Sequence, residues 1–195
     1  MASHQLNMFG AEPRPPEGLD YRAHFLSAAE EQDLVRTLRT LPFKPFEFQG
    51  FLGNRRTVSF GWNYRFDGSG LKKAEEMPSF LLALRDRAAA FAGLAPEALA
   101  HALLIEYQDG AGIGWHRDRP VFDKVVGISL LAPARLRFRR RREEKWERSA
   151  LIAEPRSAYL IDGPARNEWE HSIPPMDGLR YSITFRNFRF GQEPS

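Results

Sequence analysis

Residues 179–186 read Leu-Arg-Tyr-Ser-Ile-Thr-Phe-Arg, a β-branched and aromatic stretch that predicts a strand. Side chains alternate between the two faces of a strand, so this stretch has one polar and one apolar face. The polar face carries Arg180, Ser182, Thr184 and Arg186. Two arginines on one inner face require an anionic partner. Because a guanidinium group matches a carboxylate with two parallel hydrogen bonds, a small dicarboxylate is a natural occupant.

A candidate metal site precedes this strand in the sequence. Residues i and i+2 of an extended segment point to the same side, so His116 and Asp118 can chelate one ion. His171 follows after a gap that is long enough for several strands to return the chain to that ion. Two imidazoles and one carboxylate leave three positions of an octahedral ion open, which is the ligand set of non-haem Fe(II) oxygenases.

Each of these signals has another interpretation when it stands alone. A His-x-Asp pair is common among surface polar residues, and a single histidine such as His171 is more often a hydrogen-bonded structural residue. Arg180 and Arg186 alone would suit the exposed face of an edge strand, where charge discourages pairing with another chain. Their joint order and spacing favour the metal site.

In this order the residues resemble the AlkB family of 2-oxoglutarate- and Fe(II)-dependent dioxygenases. The pattern of that family is His-x-Asp, a distant His, and Arg-x-(Asn)-x-Thr-x-Arg. The resemblance runs from about Arg55 to Arg189, and it includes the flanking stretches at residues 55–64 and 165–171. It implies that the iron ligands are His116, Asp118 and His171.

The resemblance also implies a binding site for 2-oxoglutarate, the cosubstrate that is used with O2. Arg180 would bind its distal carboxylate, Arg186 would lie beside its C1 carboxylate, and Tyr107 would form a hydrogen bond with it. Ser182 and Ile105 stand where the family has asparagine. We therefore expect the contacts with the cosubstrate to be partly rearranged, with Ser182 in place of the asparagine.

The activity implied by the resemblance is the oxidation of a C–H bond, and hydroxylation of an N-alkyl carbon then releases an aldehyde and restores the base. We favour alkylated DNA bases as the substrate, and this DNA could be single-stranded. The expected role is therefore DNA repair. Pro120 stands where several DNA-repair members carry a second acidic residue. Because Ser182 departs from the family as well, an RNA base and a methylated protein side chain stay open as substrates.

The candidate substrate contacts are aromatic and basic side chains. Trp62, Tyr64 and Trp169 could stack on a flipped base or could be ordinary core residues. Residues 135–148 contain eight arginines and lysines, among them Arg139 and Arg148, which could hold phosphates. Apolar residues alternate with arginines here, so a hairpin is predicted, and a solvated hairpin tip is the other interpretation of the charge.

A function from another class also stays open. In this alternative the chain is a non-catalytic jelly-roll module whose arginine-rich hairpin holds nucleic acid without turnover. A complete set of metal ligands beside two arginines argues against it, because a binding module has no chemical need for that set.

The composition is that of a single domain, since 195 residues with 43% hydrophobic side chains can form a substantial core. The absence of cysteine excludes disulfides, thiolate metal sites and cysteine nucleophiles. No apolar stretch is long enough to span a membrane, and no secretion signal is visible at the N-terminus. We therefore expect a cytoplasmic protein without membrane contact, and we expect it to be a monomer.

The order of the predicted elements indicates an α+β fold. Residues 1–18 contain several prolines and predict a flexible N-terminal arm, which is followed by one domain over residues 19–195. Helices are predicted over residues 27–41, with Ser27 as the N-cap, and over residues 78–92. Residues 56–66 predict a strand with an irregularity at Gly61, and the chain after residue 103 is mainly strands. N-terminal helices that buttress a sheet agree with the double-stranded β-helix, or jelly-roll, core that the resemblance implies.

Overall fold

The computed structural model describes residues 15–48, 51–65 and 70–192, and within residues 46–53 and 63–71 it describes the backbone at most. The helices of these residues are α1 (Ala28–Leu38), α2 (Ser79–Ala92) and the short α3 (Gly163–Asn167), with a 3₁₀ turn at Pro96–Ala98. The predictions over residues 27–41 and 78–92 are confirmed by α1 and α2. No helix in the described part of the chain is both long and apolar enough to cross a membrane.

The strands are numbered in chain order. The first seven are β1 (Leu19–Arg22), β2 (Lys44–Phe48), β3 (Phe51–Phe60), β4 (Trp62–Arg65), β5 (Gly70–Lys73), β6 (His101–Tyr107) and β7 (Ile113–His116). The later strands are β8 (Phe122–Leu131), β9 (Ala134–Arg142), β10 (Lys145–Ala153), β11 (Ala158–Ile161), β12 (Glu170–Ile173) and β13 (Arg180–Phe188).

The described strands form two main sheets. One has seven strands in the order β1-β11-β8-β13-β6-β3-β2, the other has four in the order β10-β9-β12-β7, and β4 pairs with β5 as a ribbon. The pairings in all three are antiparallel. Many neighbours in the sheets are distant in sequence, as jelly-roll connections require. The fold is α+β with a double-stranded β-helix core, which confirms the predicted fold class.

One face of the seven-stranded sheet packs under the helices and is apolar. Leu104, Ile128 and Ile183 lie side by side on three adjacent strands of this face, and all three are fully buried in the core cluster that includes residues of α1 and α2. Helix α1 begins with the predicted capping box, in which the Ser27 hydroxyl accepts from the backbone N–H of Glu30. The Glu30 carboxylate in turn accepts from the backbone N–H of Ser27. The helix layer therefore covers one side of the sheet and leaves the opposite face for chemistry.

The opposite, inner face of the same sheet is polar near its centre. Arg55 of β3 lies opposite Tyr107 of β6, and Tyr107 lies opposite Arg180 of β13. In the next inward-facing row, Ser182 of β13 lies opposite Ser129 of β8. Since neighbouring strands lie about 5 Å apart, these register positions bring the polar side chains together although they are far apart in sequence.

The irregularity expected at Gly61 is a break between two strands. Gly61 has a φ of +75°, and an added Cβ would lie 2.0 Å from the carbonyl oxygen of Ala100. Only glycine fits this position, so β3 ends at Phe60 and β4 pairs with β5 instead of continuing the large sheet. Phe60, the last residue of β3, belongs to the core under the helices.

Several short elements escaped prediction. These are β1, β2, β5, β12 and α3. Short strands take their stability from pairing with strands that are distant in sequence, and their own period-two signal is too brief to identify them. Residues 1–14 of the predicted arm lie outside the described residues, so the arm and the boundary at residue 18 stay predictions. The carbonyl oxygens of Glu17 and Gly18 accept hydrogen bonds from the backbone of Ala165 and Asp162.

Gly127 supplies a stability test of the inner face. It lies opposite Tyr159 in the register, and an added Cβ would lie 2.1 Å from Cζ of that ring. We expect Gly127→Ala to lower the free energy of unfolding by about 1–3 kcal/mol, because the ring has to move out of a packed position. The melting temperature should fall by several degrees.

Gly114→Ala is the matched control for this test. No described atom lies within 4 Å of the Cβ that would be added there. If the two variants melted at the same temperature, this result would contradict the close packing of the Tyr159 ring against the backbone of β8 at Gly127.

Candidate metal and cosubstrate site

The three predicted metal ligands meet between the sheets. His116 at the end of β7 lies directly opposite His171 of β12 in the register, and their ring centroids are 4.2 Å apart. Asp118 follows two residues after His116. The ligand atoms of all three side chains lie within 4.8 Å of one another. One ion can therefore contact two imidazole nitrogens and one carboxylate oxygen, and this donor set suits Fe(II).

The backbone fixes the orientation of His116. Its Nδ1 lies 2.9 Å from the carbonyl oxygen of Gly114, at hydrogen-bond distance. A carbonyl oxygen only accepts, so the bond places the ring proton on Nδ1 and leaves Nε2 as the nitrogen for a metal. Such hydrogen bonds to the second nitrogen are typical of metal-binding histidines.

The carboxylate of Asp118 is held by Arg186. Nη2 of Arg186 donates to Oδ1 of Asp118 at 3.1 Å, and both side chains are about nine-tenths buried. Burial alone would raise the pKa of Asp118. The positive charge of Arg186 is the largest of the effects that act against burial, and the pKa of Asp118 is held well below its usual range. The carboxylate is therefore ionised, which is the state that a metal ligand needs.

His171 is held in the complementary state. Burial is the largest cause that lowers the pKa of His171, and it lowers this pKa to about 3. A neutral imidazole keeps a lone pair free for coordination. The site thus offers one anionic oxygen and a neutral ring nitrogen, which are the ligand forms that bind divalent iron.

Arg180 lies fully buried at the centre of the inner face. Its Nε donates to the hydroxyl of Ser129 at 2.9 Å, whereas Nη1 and Nη2 find no hydrogen-bond partner among the described residues. An unpaired charge in such a place is costly unless an anion meets it. These two nitrogens form the fork that binds a carboxylate with two hydrogen bonds.

The predicted cosubstrate residues surround this fork. Tyr107 is buried, and the guanidinium carbon of Arg180 lies 5.0 Å from the centroid of its ring. Burial raises the pKa of the Tyr107 hydroxyl, while the charges of Arg180 and Arg55 act in the opposite direction. Ser182 is also buried and faces the same side as Arg180. The structure therefore brings together Tyr107, Arg180 and Ser182 on one buried face, and their contact with the cosubstrate stays a prediction.

His101 belongs to the site although its sequence position gave no signal. It lies opposite Arg186 in the register, and its Nδ1 is 3.4 Å from Nη1 of Arg186. Its ring stacks on Phe122 with centroids 4.9 Å apart. Burial, followed by the charge of Arg186, keeps the pKa of His101 well below its usual value. A neutral His101 can accept from Arg186 and so help to orient it.

Arg166 is a second residue whose role the sequence did not reveal. This buried side chain of α3 donates from Nη2 to the carbonyl oxygens of Arg119, at 2.6 Å, and Phe122, at 2.8 Å. Arg119 lies in the loop that directly follows Asp118, and Phe122 is the first residue of β8 after that loop. Arg166 therefore fixes the segment that carries one metal ligand, while α3 leads into the strand that carries His171.

Two of the predicted substrate contacts lie on the far side of the four-stranded sheet. Arg139 forms a 2.7 Å ion pair with Glu170, and Arg148 lies opposite Arg139 in the register and is exposed. Phe138, which precedes Arg139 on β9, lies opposite His171 and faces the metal site. Because adjacent positions of a strand face opposite sides, Arg139 and Arg148 point away from the metal ligands.

The predicted aromatic contacts fall into different surroundings. Trp62 is partly exposed and packs edge-on against Phe188, with centroids 5.8 Å apart. Trp169 is buried in the inner apolar cluster, and the guanidinium of Arg140 lies over its ring. This agrees with the interpretation of Trp169 as a core residue. Tyr64 lies on β4, and its side chain is outside the described residues.

Comparison with known proteins places this geometry in a family. Residues 18–186 match the sequence profile of the 2OG-Fe(II) oxygenase superfamily. The chain therefore belongs to the 2OG-Fe(II) oxygenase superfamily, which is a superfamily of Fe(II)- and 2-oxoglutarate-dependent dioxygenases.

Curated relatives place the chain more closely. It is 28% identical to the "Alkylated DNA repair protein ALKBH8 homolog" of Arabidopsis thaliana over 88% of this chain and 56% of that protein. It is 32% identical to the "Probable RNA/DNA demethylase ALKBH6" of Danio rerio over 57% of this chain and 45% of that protein. The chain thus spans about half the length of these curated relatives. Within the superfamily it is an AlkB-family member, as the sequence motifs predicted.

A solved structure supports the fold independently. The structure of OsALKBH1 superposes with a TM-score of 0.69, and the match covers 89% of this chain and 98% of that one. Because only 16% of the residues are identical, this likeness speaks for the jelly-roll fold alone.

The cofactors of the superfamily fit the residues present. The His-His-Asp donor set suits Fe(II), and the unpartnered fork of Arg180 suits a carboxylate of 2-oxoglutarate. When bound, Fe(II) with 2-oxoglutarate and O2 supplies the oxidation of a C–H bond. The protein contributes the positions of these groups, which its metal ligands and the fork of Arg180 define.

Arg166→Met tests the support of the metal segment. The variant keeps an unbranched side chain of similar reach but removes the hydrogen bonds to the carbonyl oxygens of Arg119 and Phe122. We expect the affinity for Co(II), a spectroscopic substitute for Fe(II), to fall by about 10–100-fold. An anaerobic titration followed by visible absorption measures this affinity.

Arg36→Met on the exposed face of α1 is the matched control, and its affinity should equal that of the unchanged protein. Equal affinities for all three proteins would show that Arg166 does not position the metal ligands.

Proposed function

We propose that this chain removes alkyl groups from nucleic-acid bases by oxidation, and that alkylated DNA, including single-stranded DNA, is its preferred substrate. In this proposal the iron ligands are His116, Asp118 and His171. Arg180 binds the distal carboxylate of 2-oxoglutarate, and Arg186 lies beside the C1 carboxylate.

One observation carries the assignment of the cosubstrate site. Arg180 is fully buried, and its two terminal nitrogens have no partner among the described residues, although Ser129 holds Nε. A buried guanidinium with an open fork is suited to an anion with a planar carboxylate. Tyr107 and Ser182 line the same part of the inner face, and we assign them to the cosubstrate as well.

The choice of nucleic acid rests on the relatives. One is named an alkylated DNA repair protein and another a probable RNA/DNA demethylase. The sequence places eight basic residues between positions 135 and 148, which is compatible with a polyanionic partner. Membership of an enzyme superfamily sets aside the alternative of a non-catalytic module.

The side chains have distinct tasks in this proposal. Arg186 holds Asp118 in place and keeps it ionised, and the Gly114 carbonyl orients His116. Arg180 fixes the cosubstrate, and Ser129 fixes Arg180. The alkyl carbon of the substrate then has to lie next to the coordination positions that the three protein ligands leave open. No acid or base side chain is required to break the C–H bond.

The products follow from the chemistry of an N-alkyl carbon. One oxygen atom of O2 enters the C–H bond, and the other enters 2-oxoglutarate as it loses CO2 and becomes succinate. The hydroxylated carbon is attached to nitrogen, so the hydroxyl loses its proton, the C–N bond breaks with its electron pair going to the base nitrogen, and the carbon leaves as an aldehyde. For a methyl group the aldehyde is formaldehyde.

RNA is the second candidate substrate. The relative from Danio rerio is named a probable RNA/DNA demethylase, and Pro120 stands where several DNA-repair members carry an acidic residue. A methylated protein side chain is the third candidate. A cytoplasmic location and a monomeric state remain parts of the proposal.

The direct test uses the Fe(II)-loaded protein with 2-oxoglutarate and O2. Methylated single-stranded DNA, RNA of the same sequence and a methylated lysine peptide are compared, and succinate and formaldehyde are measured together. We expect equal amounts of both products with DNA and less with RNA. His116→Ala should abolish both products, whereas His24→Asn, a change of an exposed histidine outside the site, should not.

The alternatives give different results. More formaldehyde from RNA would move the substrate to RNA, and formaldehyde from the peptide alone would overturn the nucleic-acid proposal. Succinate without formaldehyde from any substrate would keep the dioxygenase and overturn dealkylation of these three substrates.

A further inference from the structure

The outer face of the four-stranded sheet carries a regular array of arginines and tryptophans. We call it the arginine–tryptophan face, and it consists of Trp115, Arg135, Arg137, Arg139, Arg141, Trp146 and Arg148. The arginines of β9 sit at every second position, about 7 Å apart along the strand. The register brings Arg148 of β10 beside Arg139. This face is the reverse side of the sheet that carries His116 and His171.

Stacking orders the central side chains of this face. The guanidinium carbon of Arg139 lies 4.4 Å from the ring centroid of Trp115 and 4.5 Å from that of Trp146. Arg137 also lies over Trp115, at 5.0 Å. Its Nε donates to the hydroxyl of Ser172 at 3.1 Å. Because these long side chains are already held, binding of a ligand costs them little conformational entropy.

The charge of the face is not neutralised internally. Glu170 pairs with Arg139, but Arg135 and Arg148 are exposed and make no ion pair with any described residue. Trp146 is 38% exposed. This surface therefore combines unpaired positive charge with the partly exposed ring of Trp146, and both features suit an anionic ligand that carries aromatic groups.

We propose that the arginine–tryptophan face binds the single strand that flanks the target base. Phosphates would lie along the row of arginines, and bases would stack on the exposed part of Trp146. Positive grooves with aromatic side chains are how proteins hold single strands without reading their sequence. An open antiparallel sheet with exposed aromatics also serves as a platform for single-stranded RNA in other folds.

The shape of the face favours a single strand over other anionic partners. The arginines and tryptophans of this face are spread over three strands of the four-stranded sheet, whereas readout of a duplex needs a narrow element that enters the major groove. An acidic peptide could satisfy the arginines, but it has no flat rings to stack on Trp146. The inference rests on the proposed nucleic-acid substrate, yet it assigns a surface on the side of the sheet opposite the metal ligands.

Binding of an unmodified oligonucleotide tests this surface without turnover. Fluorescence anisotropy of a labelled single strand is followed over a series of salt concentrations for the full chain. Arg148→Gln should reduce the slope of log affinity against log salt by about 0.7, the value for one lost phosphate contact on a single strand. Trp146→Ala should weaken binding on the order of 5- to 100-fold and leave the slope unchanged.

The matched control is Arg36→Gln on α1, which removes the same charge from an exposed position that is not part of this face. It should change neither affinity nor slope. Unchanged binding in both Arg148→Gln and Trp146→Ala would overturn the proposal. An unlabelled duplex or a polyglutamate peptide that displaces the single strand better than an unlabelled single strand does would also overturn it.

Turnover separates this inference from the proposed function. With a methylated nucleoside, which has no flanking strand, Arg148→Gln and Trp146→Ala should keep the kcat and KM of the unchanged protein. With a long methylated strand they should raise KM and leave kcat unchanged. If no methylated nucleic acid is turned over while the two variants still lose oligonucleotide binding, the proposed function fails and the binding surface stands.

Discussion

The fully buried guanidinium of Arg180 is the constraint on which the site depends. Ser129 satisfies one nitrogen, and the other two have no partner among the described residues. An uncompensated buried charge costs several kcal/mol, so the two sheets must be stable enough to hold it in the absence of an anion. The same cost favours any carboxylate that completes the fork. Stability and cosubstrate affinity are therefore linked through one side chain.

The two faces of the large sheet have different roles, since one forms the apolar core and the other carries the polar site. Leu104, Ile128 and Ile183 bury the helix-side face, and this apolar core supplies the burial that offsets a polar interior on the other side. Alternation along β13 lets one strand serve both faces, because Ile183 lies between two residues of the polar face. The histidine pair on the smaller sheet then closes the site, since β7 and β12 are neighbours and place His116 beside His171.

The sequence predicted the parts of this account that have a local period or a short motif. Alternation along residues 179–186 located the polar face, and the two-residue spacing of His116 and Asp118 located the metal segment. His101, Ser129 and Arg166 could not be found in this way, since their roles depend on strand register and on backbone carbonyls far away in sequence. The pairing of Arg139 with Glu170 was missed for the same reason.

The most direct test of the central role of Arg180 is calorimetric titration of the protein with two 2-oxo acids, with Mn(II) in place of Fe(II). 2-Oxoglutarate carries a distal carboxylate, and 2-oxobutyrate lacks it but keeps the same chelating groups. The account predicts that the unchanged protein strongly prefers 2-oxoglutarate and that Arg180→Met loses this preference while it still binds the metal. Equal discrimination by both proteins would contradict it, because the distal carboxylate would then be bound elsewhere.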